Sequence, residues 1–163
     1  MNPEPALLIV APVADGFDLA HIPWSRTARE RISVNNDKFS ELDMLEIIVD
    51  GLPFLLSHFA TEETGQIFAR KNFKKPSADV RISHQSAIGV TPRDILTSGQ
   101  HLPEIIHRIL LLGKWIGDSL AATAVILVPS SELVSFEYFD EAVKEYFEGR
   151  PLPSSLLAAF PEA

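Results

Sequence analysis

Residues 44–59 read MLEIIVDGLPFLLSHF, two apolar runs on either side of Asp50-Gly51. A two-residue turn between antiparallel strands needs positive φ at both central positions, and Asp-Gly adopts it at little cost. Alternation along the first run puts Leu45, Ile47 and Val49 on one face and Met44, Glu46 and Ile48 on the other. Pro53 has no N–H to give to a ladder, so the second strand either lies at an edge there or begins after it. This β-hairpin is the tightest constraint on the fold. An isolated hairpin is at best marginally stable, so the rest of the chain must add strands and cover one face.

The flanking sequence supplies both. Ala6–Ala11 is a short apolar run stopped by Pro12, as expected of a buried strand, and Asp15-Gly16 marks a turn. Trp24–Ile32 reads as a short helix behind Pro23, and Asn35-Asn36-Asp37 as a turn. Thr61 is placed to cap a helix from Glu62 to about Phe73, with acids in its first turn, Arg70 and Lys71 near its end, and Pro76 as its stop. Asp79–Val90 reads as a strand, and Thr91-Pro92-Arg93-Asp94 as a helix start. The main helix runs over Pro103–Ser119, and Ala121–Val128 is apolar throughout, the signature of a strand covered on both faces. Ser135 caps a last helix, Phe136–Glu148, which Gly149 ends; Pro151 and Pro153 lead into a tail.

The resulting order begins βαββαβ, the order of a ferredoxin-like unit, and continues with an αβα extension. The expected fold is therefore α+β, a mixed β-sheet with helices packed on it. With 163 residues and no repeat or low-complexity segment, the chain is read as one domain over residues 1–163.

Composition narrows function mainly by exclusion. No cysteine is present, which removes thiol catalysis, Fe–S clusters and Cys-type zinc sites, and fits a cytoplasmic location. The N-terminus carries no basic residue before its apolar run, and Ile105–Val128 holds His107, Arg108, Lys114 and Asp118, so neither a signal peptide nor a membrane span is expected. The formal net charge of -8 opposes nucleic acid and anionic membranes as partners. Residues 129–163 concentrate it, with seven acids (Glu132, Glu137, Asp140, Glu141, Glu145, Glu148 and Glu162) against Lys144 and Arg150. Read plainly this is a solvated helix face; read functionally it is an acidic surface for a basic protein.

The search for chemistry yields little. His101 and His107 are six residues apart, on opposite sides of a helix, and no His-x-x-x-His pair exists, so no metal site is expected; His107 is instead placed to pair with Glu104. Ser57-His58 and Ser83-His84 are strand neighbours pointing to opposite faces, not catalytic dyads. Asp15 and Asp18 read as turn residues, and no Gly-x-Ser-x-Gly or phosphate-binding glycine motif occurs. The basic cluster Arg70, Lys71, Lys74 and Lys75 around Phe73 reads as a helix C-terminus before it reads as an anion or nucleic-acid contact. Phe136, Phe139, Tyr146 and Phe147 form an aromatic stripe of core type, and Trp24 and Trp115 do not make a stacking platform. No catalytic, cofactor-binding or metal-ligating residue is assigned.

The run Ile47–Gly51, the segment Ser83–Val90, and the ending from Phe136 to Ala142 with Gly149-Arg150-Pro151-Leu152-Pro153 resemble a bacterial domain family of unknown function, over roughly residues 6–160. That resemblance implies an α+β bacterial domain and carries no catalytic motif. Two functions remain. The favoured one is a protein-interaction module, of adaptor or immunity-like kind, that binds a basic partner through an acidic or edge-strand surface; homo-oligomers are compatible with it. The alternative is a small ligand-binding or hydrolytic domain whose site gathers distant residues, such as His58, His84 and Asp15.

Overall fold

The computed structural model describes residues 5–13, 17–24, 32–35, 44–70, 85–93, 103–158 and 160. Among them are strands β1 (Leu7–Ala11), β2 (Ile32–Asn35), β3 (Met44–Val49), β4 (Leu52–Phe59), β5 (Ser86–Pro92), β6 (Ala124–Leu127) and β7 (Glu132–Ser135). The helices are α1 (Thr61–Arg70), α2 (Pro103–Leu120), α3 (Phe136–Phe147) and the single turn α4 (Ser154–Leu157).

The hairpin forms as the sequence requires. Asp50 and Gly51 take φ values of 50° and 85°, and β3 pairs with β4 from Val49↔Leu52 to Met44↔Ser57. Leu45, Ile47 and Val49 are buried while their alternates are half-buried. Pro53 is tolerated for a reason other than an edge: β4 is an interior strand, but its pairing with β5 ends at Phe54↔Pro92, one residue short of Pro53. Pro53 still accepts a hydrogen bond from the Arg93 N–H at 3.2 Å.

The strands form one sheet of order β2-β3-β4-β5-β1-β6-β7, with every neighbouring pair antiparallel, so the sheet is not mixed. The class is α+β. β5 and β6 run in the same direction, joined by α2, with β1 inserted antiparallel between them. Beyond that split unit, the described elements do not trace the expected βαββαβ order. Ile32, expected to end a helix, begins β2; residues 25–31 of that expected helix lie outside the described residues. Thr91 and Pro92, expected to open a helix, close β5, where Pro92 lies past the last β1 pair, Leu7↔Val90, and owes that strand no donor. Of the strand expected over Asp79–Val90, residues 79–84 lie outside the described residues.

One face of the sheet carries the main core. Leu7, Ile9, Ile47, Phe54, Leu56, Ile88, Val125 and Val134 pack with Ile109, Leu112 and Ile116 of α2 and Phe139 and Val143 of α3. α2 approaches closely because Gly117 lies against Phe136, where a Cβ would overlap the ring. On the opposite face Leu8, Val10, Ala87, Ile126 and Leu133 form a smaller core, against which Phe59 and Ile67 of α1 pack. β6 is buried throughout, as the apolar run 121–128 predicts. α1 starts at Thr61 itself rather than after it: the Ala60 N–H donates to Glu63 Oε1 at 3.4 Å, the reach-back half of a capping box, and Thr64 Oγ1 donates to Ala60 O at 3.0 Å.

Candidate functional site

The C-terminal helix is fixed at its start by its predicted cap. Ser135 Oγ accepts the Tyr138 N–H at 3.1 Å, and the Phe136 N–H donates to Thr123 O at 3.0 Å, tying the first turn to the residue that leads into β6. Phe139, Ala142 and Val143 are buried; Phe136, Tyr146 and Phe147 pack on the same core, so the aromatic stripe is core, as expected. His107 on α2 joins it, its ring 4.6 Å from that of Phe147 and 6.5 Å from that of Tyr146.

Burying that stripe forces the charged residues outward. Glu137, Glu141, Lys144 and the C-cap Glu148 fall at i, i+4, i+7 and i+11, one line along the exposed side of α3 to its end, and all four are exposed. Not every acid is open to a partner. Asp140 accepts from Lys114 at 2.8 Å and pairs with Lys144 at 3.1 Å, Lys114 also holds Asp118 at 2.8 Å, and Glu145 pairs with Arg150 at 3.4 Å. Burial alone would raise the Asp140 carboxyl; the hydrogen bonds and charges of Lys114 and Lys144 outweigh it and hold it below the ordinary carboxylate value. Burial likewise lowers the Lys114 ammonium, and its bonds to Asp118 and Asp140 reverse that and raise it above the ordinary lysine value. Lys114 of α2, Lys144 of α3 and Arg150 just beyond α3 are thus all engaged by these acids. Among the described residues, Glu137, Glu141 and Glu148 stand without an ion pair. Beside them Tyr138 is 42% exposed, its hydroxyl 3.0 Å from Ser155 Oγ, and Leu157 on α4 is 50% exposed. Leu157 had no signal in a segment read only as a tail.

The histidine readings separate. His58 is buried at 7% exposure on the core side of β4 with no partner for Nε2, while its neighbour Ser57 sits on the opposite face, so the two form no dyad. His84, His101, Asp15, Lys71, Lys74 and Lys75 lie outside the described residues, so the proposed grouping of His58 with His84 and Asp15 is represented by His58 alone. Asp18 lies 3.8 Å from His21, both exposed. Among the described residues no three His, Asp or Glu side chains are grouped to hold a metal, and no helix is long and apolar enough to cross a membrane. Trp24 donates from Nε1 to Leu19 O at 3.1 Å and serves the core, as does Trp115.

Fold and surface together define an α+β protein with an antiparallel seven-stranded sheet and an acidic C-terminal helix. The chain matches no protein-family model, no curated protein and no solved structure. Any functional reading therefore rests on its own residues.

Proposed function

We propose that this chain is a cytoplasmic protein-interaction module, of adaptor or immunity-like kind, whose outward α3 face receives a basic surface of another protein. The observation that carries this reading is the line of exposed, unpaired carboxylates, Glu137, Glu141 and Glu148, on a helix whose other acids are already occupied. Like charges in a row on a rigid helix repel one another slightly, and an opposite charge arriving from outside relieves that cost. Exposed Tyr138 supplies an amphipathic contact of the kind enriched at interfaces.

Exposed charge pairs act through screened fields, so the interaction should weaken as salt rises past the point where the Debye length is about 10 Å. The test is a pull-down at low and moderate salt with the native chain and with the triple variant Glu137→Gln, Glu141→Gln, Glu148→Gln. A stoichiometric basic partner that salt releases and the variant fails to hold is expected. Equal capture by both chains, or no capture by either, would sink the proposal.

A second reading, a ligand-binding or hydrolytic domain, is favoured by one observation, the buried and unpartnered Nε2 of His58. A small ligand or zinc that raises the melting temperature of the native chain but not of His58→Leu would replace the first reading with this one.

A further inference from the structure

The segment after α3 is held to the body by side chains. Leu152, Leu156 and Phe160, spaced four residues apart, are all buried and belong to the main core. Yet the backbone hydrogen bonds of this segment stay inside it: the N–H groups of Leu156 and Leu157 donate to Pro153 O, that of Ala158 to Ser154 O, and that of Phe160 to Leu157 O. Among the described residues, its only hydrogen bond to the rest of the molecule is the exposed Tyr138 Oη with Ser155 Oγ at 3.0 Å. α4 is one turn long, too short to persist by propensity, so its shape is imposed by docking. The segment is attached as a bound peptide is, through side chains.

The connection to it is extended and self-contained. α3 is closed by the Gly149 N–H to Tyr146 O and the Arg150 N–H to Glu145 O, with Gly149 at φ +96°, so the helix end keeps its bonds whichever way the chain departs. Pro151 and Pro153 then bar helical continuation, and a residue preceding proline is pushed to extended backbone; Pro153 itself is at φ -56°, ψ 151°.

We propose that residues 151–160 are an exchangeable strap, and that the groove holding Leu152, Leu156 and Phe160 accepts the same three side chains from a second copy of this chain. The incoming strap makes the contacts that the resident strap gives up, and among the described residues no backbone bond between strap and body is broken in the exchange. Only the extended arm at residues 150–153 differs between the closed monomer and a reciprocal two-fold dimer, the circumstance in which segment swapping is least costly. Mass action then makes the exchange depend on concentration. This inference does not depend on the basic-partner reading.

The absence of cysteine allows a direct test. One chain carries Tyr138→Cys and another Ser155→Cys; they are mixed at high concentration, warmed to just below the unfolding midpoint, cooled, and treated with a short bis-maleimide. A control mixture replaces the first chain by Ser33→Cys, an exposed position on β2. Exchange predicts several-fold more inter-chain product from the Tyr138/Ser155 mixture than from the control. Equal yields in the two mixtures, or no inter-chain product from either, would overturn it. Should a cysteine variant fail to fold, light scattering on the unaltered chain decides: a dimer that persists after cooling and dissociates on dilution supports exchange, and a monomer under every condition refutes it.

Discussion

Two glycines inside helices, Gly65 on α1 and Gly117 on α2, are chemically identical and sit in opposite circumstances. A Cβ at Gly65 would meet nothing within 4 Å, so Gly65→Ala gains helix propensity without a clash and should stabilise by about 0.5–1 kcal/mol. A Cβ at Gly117 would enter the ring of Phe136; the same propensity gain is then set against overpacking of about 1–3 kcal/mol, and Gly117→Ala should destabilise by about 1 kcal/mol. Urea unfolding of the two variants should move the midpoint in opposite directions. Nothing in the sequence distinguishes these positions, because the difference is made by a side chain nineteen residues away, beyond an intervening hairpin. His58 was equally illegible: alternation along β4 places it on the buried face, but not the absence of a partner for Nε2 there. An unsatisfied buried polar group costs about 1–3 kcal/mol, so His58→Leu, of similar volume, should raise stability by about 1 kcal/mol. A rise in melting temperature checks it, and a fall would mean that the nitrogen is satisfied within the fold.

At the scale of elements, α2 and α3 are clasped by Lys114, which bridges Asp118 on its own helix and Asp140 on the other. The sign of the pH dependence follows from the two shifts. Asp140 is held below its ordinary value, so its contribution is full above the unfolded carboxylate range and is lost as pH falls through the lower folded value. Lys114 is held above its ordinary value, so its contribution is full below the unfolded lysine range and is lost as pH rises through the higher folded value. Asp140→Asn should therefore cost about 1 kcal/mol at neutral pH and leave the difference from the native chain shrinking in acid, measured by urea midpoints from neutral to acid pH. Among the elements that the sequence made legible are two with local chemistry of their own, the Asp50-Gly51 hairpin and α3 with Ser135 before it and Gly149 after it, and three marked by apolar runs or periodicity, β1, α2 and β6. Those it concealed lacked such chemistry. Glu132–Ser135 is a strand of four residues whose reversal from β6 runs through Pro129, Ser130 and Ser131, the last at φ 54°, with no turn dipeptide to announce it. Thr91-Pro92 carries a genuine helix-start signal, overridden because β5 is completed by pairing with β4.

At the scale of the whole molecule, the position of β1 decides the architecture, and no local pattern specifies it. The run Ala6–Ala11 declares itself a buried strand, but its neighbours β5 and β6 come from far along the chain, and pairing of that kind is settled only when distant segments meet. Once β1 is in place it joins the hairpin side of the sheet, β2 to β5, to the side that carries α3 and its acidic face, β6 and β7. The main core runs without a break across that join, from Leu45 and Ile47 through Ile9 to Val134 and Phe139. Such a core should unfold as one unit, which makes Ile9 the informative position, since it is fully buried on the strand that joins the two sides and lies opposite Ile88 of β5 and Val125 of β6. Ile9→Ala should cost about 2–5 kcal/mol, a large share of the roughly 5–15 kcal/mol that holds a domain together. The loss should be shared. Tryptophan fluorescence, from Trp24 over the hairpin side and Trp115 on α2, and far-ultraviolet circular dichroism should report one coincident transition before and after the substitution, displaced by the same amount. Two transitions, with only one moved by Ile9→Ala, would instead divide the chain at β1 into separately folding halves, and the acidic helix would then belong to a smaller unit than the 163 residues proposed here as one.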